Sequence, residues 1–226
     1  MRQMTAGPIF TFAALFTAIV LLGIGTAAIL FGAIPLGDLR GVALLIAALV
    51  IAYLYAFLAY RLFLSVMPLK PGLVAIGSRE DFAVQVNTLF SLILFNALIK
   101  THFLPVPLMR LVYLALGAKL GRNTYSAGAI LDPPLTRMGD NCLVGHDAVL
   151  FAHAFEGDRL TLAPIELGDN VTIGVHAIVM PGVRIGSGAI VSAGAVVAKG
   201  TDIGPGEVWG GVPARLLKQT EARASG

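Results

Sequence analysis

From Leu167 onward an aliphatic residue, or a substitute for one, recurs every six residues: Leu167, Ile173, Val179, Ile185, Val191, Val197, Ile203 and Trp209. Glycine follows it at Gly168, Gly174, Gly186, Gly204 and Gly210, and a small or β-branched residue stands four places after it at Val171, Ala177, Val183, Ala189, Ala195 and Thr201. A period of six is neither helical nor that of a simple alternating strand, so it calls for a repeating short strand and turn. Three such units close one triangular coil of a parallel β-helix, with the aliphatics stacked inside as a ladder and glycine opening the turns. A single coil cannot bury its own core; stacking does so. The frame extends backwards through Leu120, Ser126, Asp132, Met138, Val144 and Leu150, with Gly121, Gly139 and Gly145 in their places. Between Leu150 and Leu167 the spacing is seventeen, so the frame slips by five beyond two repeats. A loop, about Ala154 to Glu166, is therefore expected to protrude beside His153.

The segment Leu120 to Lys218 resembles the hexapeptide-repeat acyltransferases. Its most specific pieces are PIELGDNVTIGVHAIVMPGV, from Pro164 to Val183, and the tail WGGVPARLL, from Trp209 to Leu217. The second is similar to that family's closing A-G-x-P-A-R-x-[IL] element. The resemblance implies a left-handed parallel β-helix, a homotrimer, and transfer of an acyl group from coenzyme A to oxygen or nitrogen.

The first third of the chain has a different character. Hydrophobic residues make up 57% of the whole and charged ones 13%, and the mean hydropathy is +0.83. From Pro8 to Pro35 the only polar side chains are Thr11, Thr17 and Thr26, and from Gly41 to Tyr60 there is no charge. Each run reaches the roughly 20 residues a helix needs to cross a bilayer, and a helix satisfies its own backbone there. The first run is too long for a cleaved signal peptide and is followed at once by a second. Two spanning helices joined at Leu36 to Arg40 are expected. Arg2 before them and Arg61, Lys70 and Arg79 after them place both termini and the catalytic domain in the cytoplasm of a bacterial inner (plasma) membrane.

The chain thus divides into a transmembrane hairpin (1–66), a linker with interfacial helices (67–119), a β-helix acyltransferase domain (120–218) and a tail (219–226), an α+β membrane protein. Pro68, Pro71 and two glycines mark Met67 to Gly77 as linker. Ser78 caps a helix of about Arg79 to Lys100, with acids in its first turn. Phe82, Val86, Leu89, Phe90, Ile93 and Ala97 would form its buried face. Charged and polar residues at its start, including Gln85 and Asn87, favour a helix lying in the membrane interface or between subunits over a third span. Pro105 and Pro107 then interrupt the chain, and a short helix, Leu108 to Leu116, leads into the first coil, where it would shield open strand edges. That lead-in resembles membrane-linked family members that modify polysaccharides.

Acyl transfer from a thioester to a hydroxyl needs a base, a donor to the developing oxyanion and alignment of the two substrates. Histidine is the natural base near neutral pH, and the chain has His102, His146, His153 and His176. His102 lies outside the repeat. His153 lies just before the inserted loop, and the resemblance assigns it the role of general base. Glu156 and Arg159 follow as H-x-F-E-x-x-R; Glu156 is a candidate to orient the imidazole or bind acceptor, Arg159 to reach acceptor or phosphate, and His146 to contact acceptor. Asp132 stands where the frame asks for an aliphatic residue, and an uncompensated buried carboxylate is costly. Either the coil breaks at Pro133 and Pro134 or Asp132 has a partner, for which His153 is the candidate.

By the same resemblance, acetyl-coenzyme A (acyl-CoA) is the co-substrate, with none bound permanently. It would lie between subunits along Gly174, His176, Ala193 and Gly194, with Lys199 and Arg215 at its phosphates. No metal is expected: a carbonic-anhydrase-like zinc site needs paired histidines, and Pro181 stands five after His176. A nucleotidyltransferase would need a further α/β domain. Cys142 is the only cysteine. A net charge of +3 without a basic cluster does not suggest nucleic acid. The expected activity is membrane-bound O-acetyl transfer to a lipid-linked sugar, glycolipid or nascent polysaccharide. N-acyl transfer to a lipid or peptide amine and a non-enzymatic trimeric scaffold are the alternatives, and membrane lipids are the expected surroundings.

Overall fold

The computed structural model describes residues 3–35, 37–101 and 103–219. Arg2, Leu36, His102 and the tail beyond Gln219, all used above, lie outside them. The described residues form two compact units: one comprises residues 3–68 and 77–94, the other residues 69–76 and 95–219.

The first unit is helical. Helices α1 (Ala6–Phe31) and α2 (Arg40–Val66) pack along each other. They come close because Gly23 has no side chain: a Cβ there would lie 2.8 Å from the Cβ of Ala52. Helix α3 (Arg79–Leu89) starts as expected, with the Ser78 hydroxyl accepting a hydrogen bond from the Asp81 amide. It runs through a π-helical turn, Phe90–Phe95, into α4 (Asn96–Lys100). The expected apolar face does not hold along its length. Val86 and Phe90 are fully buried, whereas Ile93 is 54% exposed and Ala97 is exposed, because the wider π turn shifts the phase of every residue after it. Gln85 and Asn87 are buried rather than facing water. The Gln85 Oε1 accepts from the Thr5 amide at 2.8 Å, and the Asn87 Oδ1 from the Tyr60 hydroxyl at 2.6 Å. Among the described residues, α1, α2 with its lead-in, and the run Arg79–Lys100 are each long and apolar enough to cross a membrane.

The second unit is the repeat. Helix α5 (Val106–Ala115) precedes its first coil, and the Arg110 guanidinium donates to the carbonyls of Gly121 and Thr124. Strands of two to four residues stack in parallel on three sides. On the first side Leu120, Met138, Leu167, Ile185 and Ile203 stand in register; on the second, Ser126, Val144, Ile173, Val191 and Trp209; on the third, Ile130, Leu150, Val179 and Val197. The strand Arg215–Gln219 closes the second side, antiparallel to Glu207–Gly210. Trp209 keeps its ladder position but is only half-buried, with its indole NH on Glu207.

Four expectations are corrected here. The ladder residue of the first coil's third side is Ile130, fully buried and paired with Leu150, and not Asp132. Leu150 ends the third side and Leu167 belongs to the first side of the next coil, so one repeat accounts for six of the seventeen intervening steps and the insertion is eleven residues, not five. The insertion is also not an irregular loop. His153–Glu156 and Arg159–Leu162 form an antiparallel hairpin turning at Gly157, and part of the supposed linker, Gly72–Val74, pairs with its second strand. Finally, the glycines after the ladder residue do not supply the left-handed turns. Those lie three places after it, at Asn170, His176 and Gly194 among others. Gly174 is needed for closeness instead: a Cβ there would stand 2.3 Å from the Ala193 amide nitrogen.

Candidate active site

Asp132 sits just past Ile130 and just before a short helical turn, Pro133–Leu135, that bends the chain. Its own carbonyl is held by the Leu135 amide and the Thr136 hydroxyl, each at 3.0 Å. The side chain is 6% exposed and is not left unpaired: its Oδ2 accepts from the Ala152 amide at 2.7 Å and lies 2.7 Å from Nδ1 of His153. Both alternatives raised by the sequence therefore hold, a broken coil and a histidine partner.

A carboxylate only accepts, so Nδ1 of His153 carries the proton and the Nε2 lone pair is left for chemistry. The hydrogen bond that Nδ1–H donates to Asp132 raises the imidazole pKa above its ordinary 6.5, burial opposes that, and the carboxylate's charge adds to the rise. His153 is partly accessible, 36% of its side chain being exposed. Its ring lies between those of Phe151 and Phe155, at centroid distances of 5.8 and 6.1 Å. The alternation in Phe151, His153 and Phe155 is legible in the sequence; His153 and Phe155 share one face of the strand His153–Glu156, and Phe151 packs beside the ring from just before it. Unforeseen was Val74, 4% exposed, which stands opposite Leu160 in the strand that borders the hairpin.

Glu156 does not orient the imidazole. Its Oε1 is 2.6 Å from the Lys199 Nζ, while Asp132 occupies Nδ1. Lys199, placed by resemblance at a phosphate, here ties the hairpin tip to a later coil. Arg159 is exposed beside the turn, opposite Glu156 in the hairpin register.

The remaining candidates lie along another edge of the prism. His146, His176 and Gly194 follow the second-side ladder residues, and consecutive rungs are linked by the His176 amide on the His146 carbonyl at 3.0 Å and the Gly194 amide on the Val175 carbonyl at 2.8 Å. Gly174 and Ala193 belong to the same edge. Asp132, His153, Glu156 and Lys199 gather at the turn between the third and first sides. The structure thus brings together two groups on different edges of one chain. Arg215 is exposed on the closing strand. No cluster of three or more His, Cys, Asp or Glu able to hold a metal occurs among the described residues.

Residues 164–199 match the family model described as bacterial transferase hexapeptide (six repeats). The chain is 32% identical to the galactoside O-acetyltransferase of Escherichia coli over 123 residues, half of this chain and 60% of that enzyme. It is 37% identical over 81 residues to a 2,3,4,5-tetrahydropyridine-2,6-dicarboxylate N-acetyltransferase of Staphylococcus aureus, 36% of this chain and 32% of that one. The chain therefore spans less than two thirds of the length of these curated relatives. Among solved structures, a galactoside acetyltransferase in complex with coenzyme A superposes with a TM-score of 0.51 and 24% identity, covering 67% of this chain and 88% of that one; this likeness is one of fold.

Proposed function

We propose that the repeat domain is a bacterial hexapeptide-repeat transferase and that this chain is an acyl-coenzyme-A-dependent O-acyltransferase, acetyl being the simplest donor. The observation that carries this reading is the Asp132–His153 pair, a buried carboxylate 2.7 Å from a half-buried imidazole. Neutral His153 takes the acceptor's hydroxyl proton at Nε2 as the oxygen attacks the thioester carbonyl carbon. The tetrahedral intermediate then collapses, the carbon–sulfur bond breaks, and the thiolate leaves with the proton returned from the imidazolium. Asp132 holds the tautomer and stabilises the charged ring. The products are an ester and free coenzyme A.

The donor lies along the edge of Gly174, His176, Ala193 and Gly194, with Arg215 toward its phosphates and Lys199 reaching them from the hairpin corner of the neighbouring subunit. That edge and the His153 hairpin are on different faces of one chain, which favours a homotrimer in which one subunit's hairpin meets its neighbour's edge. Helices α1 and α2 form a membrane hairpin with cytoplasmic termini, Arg79–Lys100 lies at the interface, and the acceptor is a lipid-linked sugar, glycolipid or nascent polysaccharide made at the inner face. Arg159 faces that acceptor, and His146 lines the donor's edge.

The test is calorimetric titration of the detergent-solubilised chain with coenzyme A and acetyl-coenzyme A, beside transfer of labelled acetyl groups to membrane glycolipid. Binding by both wild type and His153→Ala, with transfer by wild type alone, is expected. A folded protein that binds neither thioester nor coenzyme A is a scaffold and not a transferase.

A further inference from the structure

Helices α4 and α5 and the first two coils border a half-open pocket of about 210 Å³. Ile99, Leu104, Val106, Met109 and Ala127 supply most of its wall, and His146 lines it where the second coil turns. This space is not at the Asp132–His153 turn. It lies on the edge that carries His176 and Gly194: Ser126 is in register with Val144, and His146 is hydrogen-bonded to His176 on the rung above. Rungs are about 4.8 Å apart, so the cavity is one to two rungs from the proposed donor residues, at the helix-capped end of their edge.

From this continuity we infer that the cavity receives the hydrocarbon chain of a donor longer than acetyl, so that the substrate class is a medium-chain acyl-coenzyme A. The inference rests on the acyltransferase reading of that edge. If Lys199 and Arg215 take the phosphates at the late coils, the pantetheine arm points its thioester toward the early ones, and the next space along that line has an apolar wall formed by Ile99, Leu104, Val106 and Met109. An apolar cavity of about 150 Å³ accommodates benzene, so this one suits a chain of roughly eight carbons. A shorter chain leaves the wall of Ile99, Leu104 and Met109 uncovered.

The experiment is calorimetric titration of the full chain in nanodiscs with coenzyme A, acetyl-, butyryl- and octanoyl-coenzyme A, with empty nanodiscs as blank. Octanoyl-coenzyme A is expected to bind about tenfold or more tightly than the acetyl form, since each buried methylene adds to affinity. In Ala127→Leu, which fills the cavity from the coil side, the octanoyl-to-acetyl ratio should collapse toward one. Val106→Phe fills it from α5 and serves if the first variant does not fold. Equal affinity across the series, or a preference that survives both variants, overturns the inference while leaving the transferase reading in place. Failure of coenzyme A itself to bind overturns both. Competition by a polyprenyl phosphate against octanoyl- but not acetyl-coenzyme A would assign the cavity to an acceptor's chain and also overturn it.

Discussion

Oδ2 of Asp132 lies 2.7 Å from Nδ1 of His153 and accepts the Ala152 amide at the same distance. One carboxylate oxygen thus ties the first coil to both residues at the start of the inserted hairpin. Asp132→Asn keeps the shape but removes the charge, so the imidazole pKa falls and the acid limb of the rate–pH profile moves to lower pH. The maximal rate should drop on the order of 10- to 100-fold, part of the 10²–10⁴ a positioned base contributes. An unchanged acid limb in steady-state profiles would mean that another group titrates.

The same pair links stability to pH. Because the folded-state pKa of His153 is raised above 6.5, the stabilisation from the charged pair is full below pH 6.5 and is lost as pH rises through the folded value. Denaturant unfolding should therefore separate wild type from Asp132→Asn more at pH 5.5 than at pH 8.5, both pH values being about one unit or more beyond the ordinary value. A gap that widens with pH contradicts the assignment.

His153→Ala should retain coenzyme A binding while transfer falls by roughly 10²–10⁴. Calorimetry and a transfer assay on the same preparation separate the two. Transfer within a factor of about ten of wild type would show that His153 is not the base.

Val74 secures the hairpin from outside the repeat. Truncation in Val74→Ala removes two buried methyl groups and should cost about 2 kcal/mol locally. Its effect should fall on turnover, through a looser His153 hairpin, and not on coenzyme A affinity. Hydrogen exchange across Arg159–Leu162 would report the loosening; unchanged protection there would refute the clamp.

Gly174 and Gly194 separate two reasons for glycine. At Gly174 a new Cβ meets the Ala193 amide nitrogen at 2.3 Å, where backbone cannot yield, so Gly174→Ala should cost about 3 kcal/mol or more, at or beyond the upper end of overpacking effects. Gly194 has φ +67° and open space around a Cβ, so Gly194→Ala should cost only about 1–2 kcal/mol. Thermal unfolding of both variants ranks them, and the reverse order would refute the distinction.

The six-residue ladder and the two apolar runs were legible without a structure because each is a local periodicity: short strands repeat their own pattern, and a long uncharged run can satisfy its backbone only as a helix. Legible too was the anomaly of Asp132, since a carboxylate amid aliphatics demands an explanation. So was its candidate partner, His153; its register was not. The frame put Asp132 on the ladder, whereas Ile130 holds that place, because the two extra residues between Ile130 and Leu150 beyond a regular coil are absorbed by a turn whose cost is local but whose register is set by the neighbouring coil.

Partner choice belongs to the tertiary structure. Nothing in the order of residues says that Gly72–Val74 pairs with Arg159–Leu162 across the intervening helices, or that Glu156 meets Lys199. Such pairings are decided by which backbone edges and charges the folded coils leave open at one corner. Periodicity specified the stack of coils; the geometry of the stack chose the contacts that make a histidine into a base.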